Sequence, residues 1–328
     1  MQLSITNFKT VICETLIILL ALLMSIGFVP PAIASDIADF DQPNILILKS
    51  SDAELYSKIA SELTFALALK CQSCPEKKPI IDTRTVADIN KEIINNLNYN
   101  FIITLGKQAW LEIEDLDLKP EIKKLHTVLP LDQDILKAKS NQYFLVLEQS
   151  YKTQLDILTR LFESKPNLTV LYSANSEWRK ELLETASQKL NIHLRYKKFD
   201  STNRSSISQI LKDQALSKSS ILMLPDKEIY NRSNINQIFI SGYANNITFI
   251  GYSISLVKTG AVISLVTPKT KIAGEISRLA YEMLENKKNA GVYYPSSYKV
   301  LINENILKAL NMEIDQSMIN KINLEVVQ

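Results

Sequence analysis

Short runs of consecutive apolar residues alternate along this chain with longer stretches in which apolar side chains return every three or four positions. Residues 44–49 (NILILK) form a continuous apolar run of the kind that makes a strand buried on both faces. Residues 52–70 come next, with Leu55, Ile59 and Leu63 at helical spacing. The alternation then repeats: a helix over 86–97, a strand over 100–105, a short helix over 107–113 opening just after Gly106, a strand over 142–147, a helix over 152–163 and a strand over 167–172. Leu155, Leu158 and Phe162 share one face of that last helix. Beyond it come a helix with Trp178, Leu182, Ala186 and Leu190 at strict i+4 spacing, a strand over 193–199, a helix over 206–216, strands over 220–224, 248–251 and 261–266, and a long helix over 271–284.

Alternation of this length predicts parallel sheets with helices on both faces. Two α/β units are the natural division. The least regular stretch between them, 132–141, reads as the approach to the first crossing. Two such units joined by short hinge strands make a clamp with a ligand cleft.

The N-terminus bears on where the clamp works. Lys9 precedes an uncharged run over 15–29, and Ala32-Ile33-Ala34 supplies the small-x-small pattern of a signal-peptidase site. The expectation is a signal peptide over 1–34, cleaved after Ala34, and a periplasmic mature chain. A retained membrane anchor fits less well, because the run is short for a bilayer and Pro30-Pro31 breaks it.

Cys71 and Cys74 are then the cysteines of the mature chain. In an oxidising compartment C-x-x-C closes as a local disulfide. The same spacing serves a thiol-disulfide redox protein, but here the pair comes after an apolar helical stretch and precedes Pro75, away from the helix N-terminus that lowers a thiol pKa. Half of an intermolecular metal site is the third reading.

Composition narrows the chemistry. With 37 basic and 35 acidic residues the net charge is +2, which offers no polyanion-binding surface, so no nucleic-acid partner is expected. Seven glycines are about a third of ordinary usage, and none are spaced for a dinucleotide or P-loop turn. The two histidines, His126 and His193, stand near no recognisable nucleophile motif, and no zinc signature occurs. The chain reads as a binding protein rather than an enzyme, with no metal and no cofactor.

Four segments carry a family resemblance: 168–178 (LTVLYSANSEW), 221–230 (ILMLPDKEIY), 249–265 (FIGYSISLVKTGAVISL) and 300–318 (VLINENILKALNMEIDQSM). In order and residue type they resemble the ABC-transporter substrate-binding family that includes tryptophan- and aromatic-amino-acid-binding proteins. The tail is the most specific. Asn303, Ala309-Leu310 and Asp315 are similar to the family's closing pattern, although Asn311 replaces a Gly and Asp315-Gln316 replaces a Pro. The resemblance spans roughly residues 99–325. It implies a type I periplasmic-binding fold: two Rossmann-like lobes, the first over 35–146 and completed by part of 267–298, the second over 147–266 and completed by 299–328. It also implies a small-molecule solute, an amino acid or aromatic compound, and an ABC permease in the inner membrane, the binding protein acting as a monomer. A sensor kinase or an outer-membrane uptake system is the alternative partner. One departure bears on the ligand, since 129–139 (LPLDQDILKAK) lacks the family's Asp-Pro-x-Gly loop.

Ligands of open α/β sheets bind at the carboxyl ends of the strands. The candidates there are Ser173, Asn175 and Ser176, whose hydroxyls and free backbone N–H groups suit an anion or simply cap a helix. Asp226 falls where the family places a polar or acidic residue, and a carboxylate there pairs with a ligand ammonium or stands solvated. Tyr252 and Ser253 come just after the strand over 248–251; the ring stacks on a flat ligand or packs the hinge. In the first lobe Ser50, Ser51, Asp52, Gly106, Lys107 and Gln108 occupy the corresponding ends.

Overall fold

The computed structural model describes residues 42–70, 78–137, 139–162, 166–200, 202, 206–319, 322 and 324–327. The expected signal segment and the pair Cys71 and Cys74 lie outside the described residues.

The first half runs β1 (Asn44–Lys49), α1 (Glu54–Lys70), β2 (Ile80–Thr85), α2 (Lys91–Asn96), β3 (Phe101–Leu105), α3 (Lys107–Asp115), β4 (Lys123–Leu129) and β5 (Gln142–Val146). The second runs α4 (Tyr151–Leu161), β6 (Leu168–Tyr172), α5 (Arg179–Leu190), β7 (Arg195–Lys198), α6 (Ser206–Leu211), β8 (Ser220–Leu222), α7 (Ile235–Ala244), β9 (Thr248–Gly251), α8 (Ile254–Thr259) and β10 (Ile263–Val266). The chain then returns through α9 (Ile272–Leu284) and β11 (Gly291–Tyr293), and finishes with β12 (Lys299–Asn303), α10 (Glu304–Ala309), α11 (Gln316–Ile319) and β13 (Leu324–Val327). Among the described residues no helix is long and apolar enough to cross a membrane.

Two sheets result, ordered β11-β5-β4-β3-β1-β2 and β13-β12-β10-β9-β8-β6-β7. Every pairing in the first is parallel. Its strands are buried on both faces, which is why β1 reads as unbroken apolar sequence: Ile45 and Ile47 pack under α1 and α9, while Leu46 and Leu48 pack with Ile94 of α2 and Ile113 of α3. In the second sheet one pairing departs from the expected parallel order, since β10 and β12 are antiparallel. The reason is the route of the chain. β12 arrives from the first sheet and enters where β10 leaves, with Lys299 opposite Val266.

Two of the expected helices are broken in the structure, and some elements were not expected at all. The helix expected over 86–97 is a 3₁₀ turn, Val86–Asp88, succeeded by α2, whose start is set by Asn90 accepting the Ile93 N–H at 2.8 Å. The helix expected over 206–216 ends at Leu211 and gives way to a 3₁₀ turn, Gln214–Leu216. The apolar pattern does not predict β2, β4 or α7; in the two strands Asp82, Arg84, Lys123, Lys124 and His126 interrupt the apolar runs.

Candidate functional site

Chain direction fixes where the site lies. β5, β10 and β11 each end where the chain passes between the sheets, and every strand parallel to them ends on the same side. The carboxyl ends of both parallel sets therefore meet at three crossings, residues 147–150, 267–271 and 294–298. Hydrogen bonds tie the crossings to one another: Gln149 Nε2 donates to Thr267 Oγ1 at 2.8 Å and to the Ser297 carbonyl at 3.0 Å, and Thr267 Oγ1 donates to the Leu147 carbonyl at 2.7 Å. Glu275, in the first turn of α9, accepts from Ser296 Oγ at 2.7 Å, from the Ser297 N–H at 2.8 Å and from Arg278 at 3.1 Å.

In the second lobe the structure brings Ser173, Ser176 and Asp226 together. Asp226 Oδ2 accepts from Ser173 Oγ at 2.7 Å, from the Ser173 N–H at 3.2 Å and from Ser176 Oγ, while Oδ1 accepts from the Glu228 N–H at 2.9 Å. All three residues are buried. Oδ2 thus pins the loop after β6 to the loop after β8, while Oδ1 braces the β8 loop itself. Asn175 is exposed; its N–H donates to Ser173 Oγ and its carbonyl accepts from the Trp178 indole at 3.0 Å. Ser253 caps α8 by accepting the Leu256 N–H at 3.3 Å. Tyr252 is half-buried, and its phenol is pushed up by burial and by the charges of Asp226 and Glu148, against the opposing effect of Arg179.

In the first lobe Ser50 is buried and its Oγ accepts the Ala109 N–H of α3 at 3.0 Å, so it caps a helix as Ser173 and Ser176 cap a loop. Ser51, Asp52, Lys107 and Gln108 are exposed at the starts of α1 and α3. Gly106 sits at φ +98°, and a Cβ there would lie 2.6 Å from both Ser50 Oγ and Tyr56 Oη. Gly106→Ala is accordingly expected to cost about 1–2 kcal/mol, read as a lower midpoint in thermal melts, with an unchanged midpoint counting against the strain.

The charged pair that lies between the lobes was invisible in the sequence. Arg179, 3% exposed, donates from Nη1 to Glu148 Oε2 at 2.8 Å and to Tyr151 Oη at 2.9 Å, and from Nη2 to Glu148 Oε1 at 3.2 Å and to the Leu131 carbonyl at 2.8 Å. Burial opposes its charge, but Tyr151 and Glu148 hold the guanidinium protonated. Burial pushes the Tyr151 phenol up to about 12 and raises that of Tyr294 as well, the latter within the field of Glu148 and Arg179. The expected apolar face was Trp178, Leu182, Ala186 and Leu190, but α5 starts at Arg179 and the residues it buries are Arg179, Leu183, Ala186 and Ser187, so a charge sits on the face the helix turns inward. The unusual feature available in the sequence was Arg179 set directly after Trp178.

His126 is fully buried in β4, with Nδ1 3.0 Å from Thr104 Oγ1 and Nε2 3.6 Å from Glu114 Oε1, and it packs against Phe144 and Trp110. The Thr–His–Glu row has the residue types of a nucleophile and base, yet Thr104 and His126 are fully buried and Glu114 of α3 covers them. His193 is exposed. Among the described residues no cluster of three or more His, Cys, Asp or Glu side chains is arranged to hold a metal.

A family model described as ABC transporter substrate binding protein matches residues 148–326. A search of curated proteins gives no match. Among solved structures, the ABC domain in complex with L-Trp from Streptococcus pneumonia is 16% identical, with a TM-score of 0.50 over 88% of this chain and 100% of that one. The ligand-free, open structure of a substrate binding protein with adhesive properties from Clostridium difficile is 15% identical, with a TM-score of 0.57 over 87% of this chain and 99% of that one. The shared architecture is the type I periplasmic-binding fold that the motif segments implied.

Proposed function

Because this chain belongs to the ABC transporter substrate-binding protein family, we propose that it is the exported solute-binding subunit of an ABC-type uptake system, closing two lobes around a small ligand. Membership implies a small-molecule ligand and a membrane permease; the inner membrane is the permease's place in this reading. The first lobe is 35–146 with part of 267–298, and the second is 147–266 with 299–328. The mature chain begins after Ala34, works in the periplasm as a monomer, and acts by binding without chemistry of its own.

The observation that carries the reading is the meeting of both sets of strand carboxyl ends at three mutually bonded crossings. Such a hinge lets two rigid bodies swing together over a ligand, and the closed form gives a permease a shape to distinguish from the empty one.

The proposed ligand is an amino acid or an aromatic compound. Support comes from the Streptococcus relative, whose structure holds L-Trp, and from the phenols of Tyr252 and Tyr294 near the Arg179–Glu148 pair. Ser173, Asn175, Ser176, Asp226, Tyr252 and Ser253 line the second-lobe side in this reading, and Ser51, Gly106 and Gln108 the first.

Thermal melts of residues 35–328 against amino acids, aromatic acids, nucleosides and small peptides test it. A ligand at 100 times its dissociation constant adds about 2.7 kcal/mol to stability and raises the midpoint. A rise with aromatic amino acids supports the proposed class, and a rise with nucleosides alone overturns it. No rise with any compound counts against the solute-binding role.

A further inference from the structure

Open α/β sheets hold ligands in the crevice where two neighbouring strands send their connections to opposite faces. In the first sheet that crevice lies between β1 and β3: β1 leads out to β2 at the edge and β3 leads the other way to β4, with α1 packed on one face and α3 on the other. In the second sheet it lies between β6 and β8, which lead to β7 and β9 and carry α5 and α7 on opposite faces. A serine follows the first strand of each pair directly, Ser50 after β1 and Ser173 after β6. Beyond that the two crevices differ. Across from Ser173 the loop after β8 supplies Asp226, whose carboxylate takes up the hydroxyls of Ser173 and Ser176. Across from Ser50 the loop after β3 supplies Gly106, which has no side chain to put there. Tyr56, half-buried in the first turn of α1, leans over the gap instead: its Oη and Ser50 Oγ each lie 2.6 Å from the place a Cβ on Gly106 would take. Ser50 Oγ accepts the Ala109 N–H, and its own proton goes to no described residue. Among the described residues the Tyr56 hydroxyl has no hydrogen-bond partner.

We infer that the crevice between β1 and β3 receives a carboxylate of the solute, and that Tyr56 is the specificity-determining residue which hydrogen-bonds it. Tyr56 takes this role within the solute-binding reading, on which the inference rests. Two hydroxyl protons, on Ser50 and Tyr56, face the gap over Gly106 without an acceptor, and a carboxylate accepts two such bonds at once. The second lobe shows the same arrangement completed from within, where the Asp226 carboxylate accepts the hydroxyls of two serines. The chain thus fills one crevice with its own carboxylate and leaves the other to the solute. The charges at this end of the first sheet do not oppose an anion, because Asp52 is paired with Lys49 at 2.7 Å and Asp132 with Lys107 at 3.9 Å. The Tyr56 ring packs against the cluster of α1, α9 and the sheet, so its hydroxyl is already placed and little ordering is left for binding to supply.

Titration calorimetry with matched pairs of compounds tests it: L-tryptophan with tryptamine, L-tyrosine with tyramine, and L-phenylalanine with phenethylamine, each amine lacking only the carboxylate. Wild-type protein is expected to bind at least one of the amino acids, and to bind the corresponding amine about tenfold more weakly or worse. Tyr56→Phe removes the hydroxyl and keeps the ring. It is expected to weaken the amino acid by about tenfold or more while leaving the amine within about threefold, the two changes together isolating the contact between hydroxyl and carboxylate. Its melting midpoint without ligand is expected to match that of wild type, whereas a residue that only supports the fold would move it. An amine bound as tightly as its amino acid overturns the inference and leaves the solute-binding reading standing. So does a Tyr56→Phe variant that binds the amino acid as wild type does, or that weakens amino acid and amine alike. A wild-type protein that binds none of these compounds fails the proposed ligand class itself, and the role of Tyr56 falls with it.

Discussion

Asp226→Ala is expected to melt well below the wild-type protein, by about 3 kcal/mol, or roughly 5–10 °C in midpoint. The carboxylate accepts from the Ser173 N–H, Ser173 Oγ, Ser176 Oγ and the Glu228 N–H in a buried setting. Alanine strips all four donors of their acceptor, and a buried donor left unpaired costs about 1–3 kcal/mol. Part of that cost is recovered by water and by the bond Ser173 N–H already shares with Ser176 Oγ. Asp226→Asn separates the loop pin from a direct ion pair with a ligand ammonium. The amide keeps an acceptor for the serine hydroxyls, so it should retain most of the stability and bind within about threefold of wild type. A folded Asn variant that has lost tenfold or more in affinity would instead show Asp226 paired to the ligand's cation.

The second large effect is at Glu275. Burial works to raise its carboxyl, yet the hydrogen bonds from Ser296, Ser297 and Arg278 outweigh burial and hold it down at about 2. Its folded value lies below the ordinary 4.5, so the stability it supplies is complete above pH 4.5 and is lost as the pH falls towards 2. The shift corresponds to on the order of 3 kcal/mol. Melts of wild type and Glu275→Gln should therefore differ by several degrees at pH 6, and the gap should shrink below pH 4.5 and close only as the pH passes below about 2; a gap independent of pH would refute the assignment. His126 adds to the acid loss in both proteins. Burial lowers its pKa from 6.5, so the unfolded chain takes up the proton first and stability declines as the pH drops below about 6.5. Glu114, held at about 2 by His126 and Lys139 against the effect of burial, declines over the same range as Glu275.

The alternation of β1, α1, β3, α3 and β5, and of β6, α5, β8 and β9, was legible because strands buried on both faces must be apolar along their length. β2 and β4 escaped for the complementary reason. β2 is an edge strand whose Asp82 and Arg84 pair with each other, and β4 carries Lys124 and His126 toward Glu114. Among the candidates, Ser173, Ser176 and Asp226 were legible as strand-end residues because the loops there hold polar side chains. That they bond one another rather than stand open was not, since Asp226 lies 53 and 50 positions from the two serines, on a different loop. Tyr252 was legible by place, and its electrical neighbours were not.

Local order along the chain was enough to establish its periodicity, strand ends, motif segments and near-neutral charge. Together these mark an α/β chain of the substrate-binding type, because each depends on residues close together. Which side chains meet across the crossings is settled by the folded chain alone. Arg179, Glu148 and Leu131 come from a helix, a hinge and a distant loop, and no local pattern marks them as partners. Their pairing is a consequence of two sheets closing on one hinge, where a buried charge must find its acceptors wherever the fold places them.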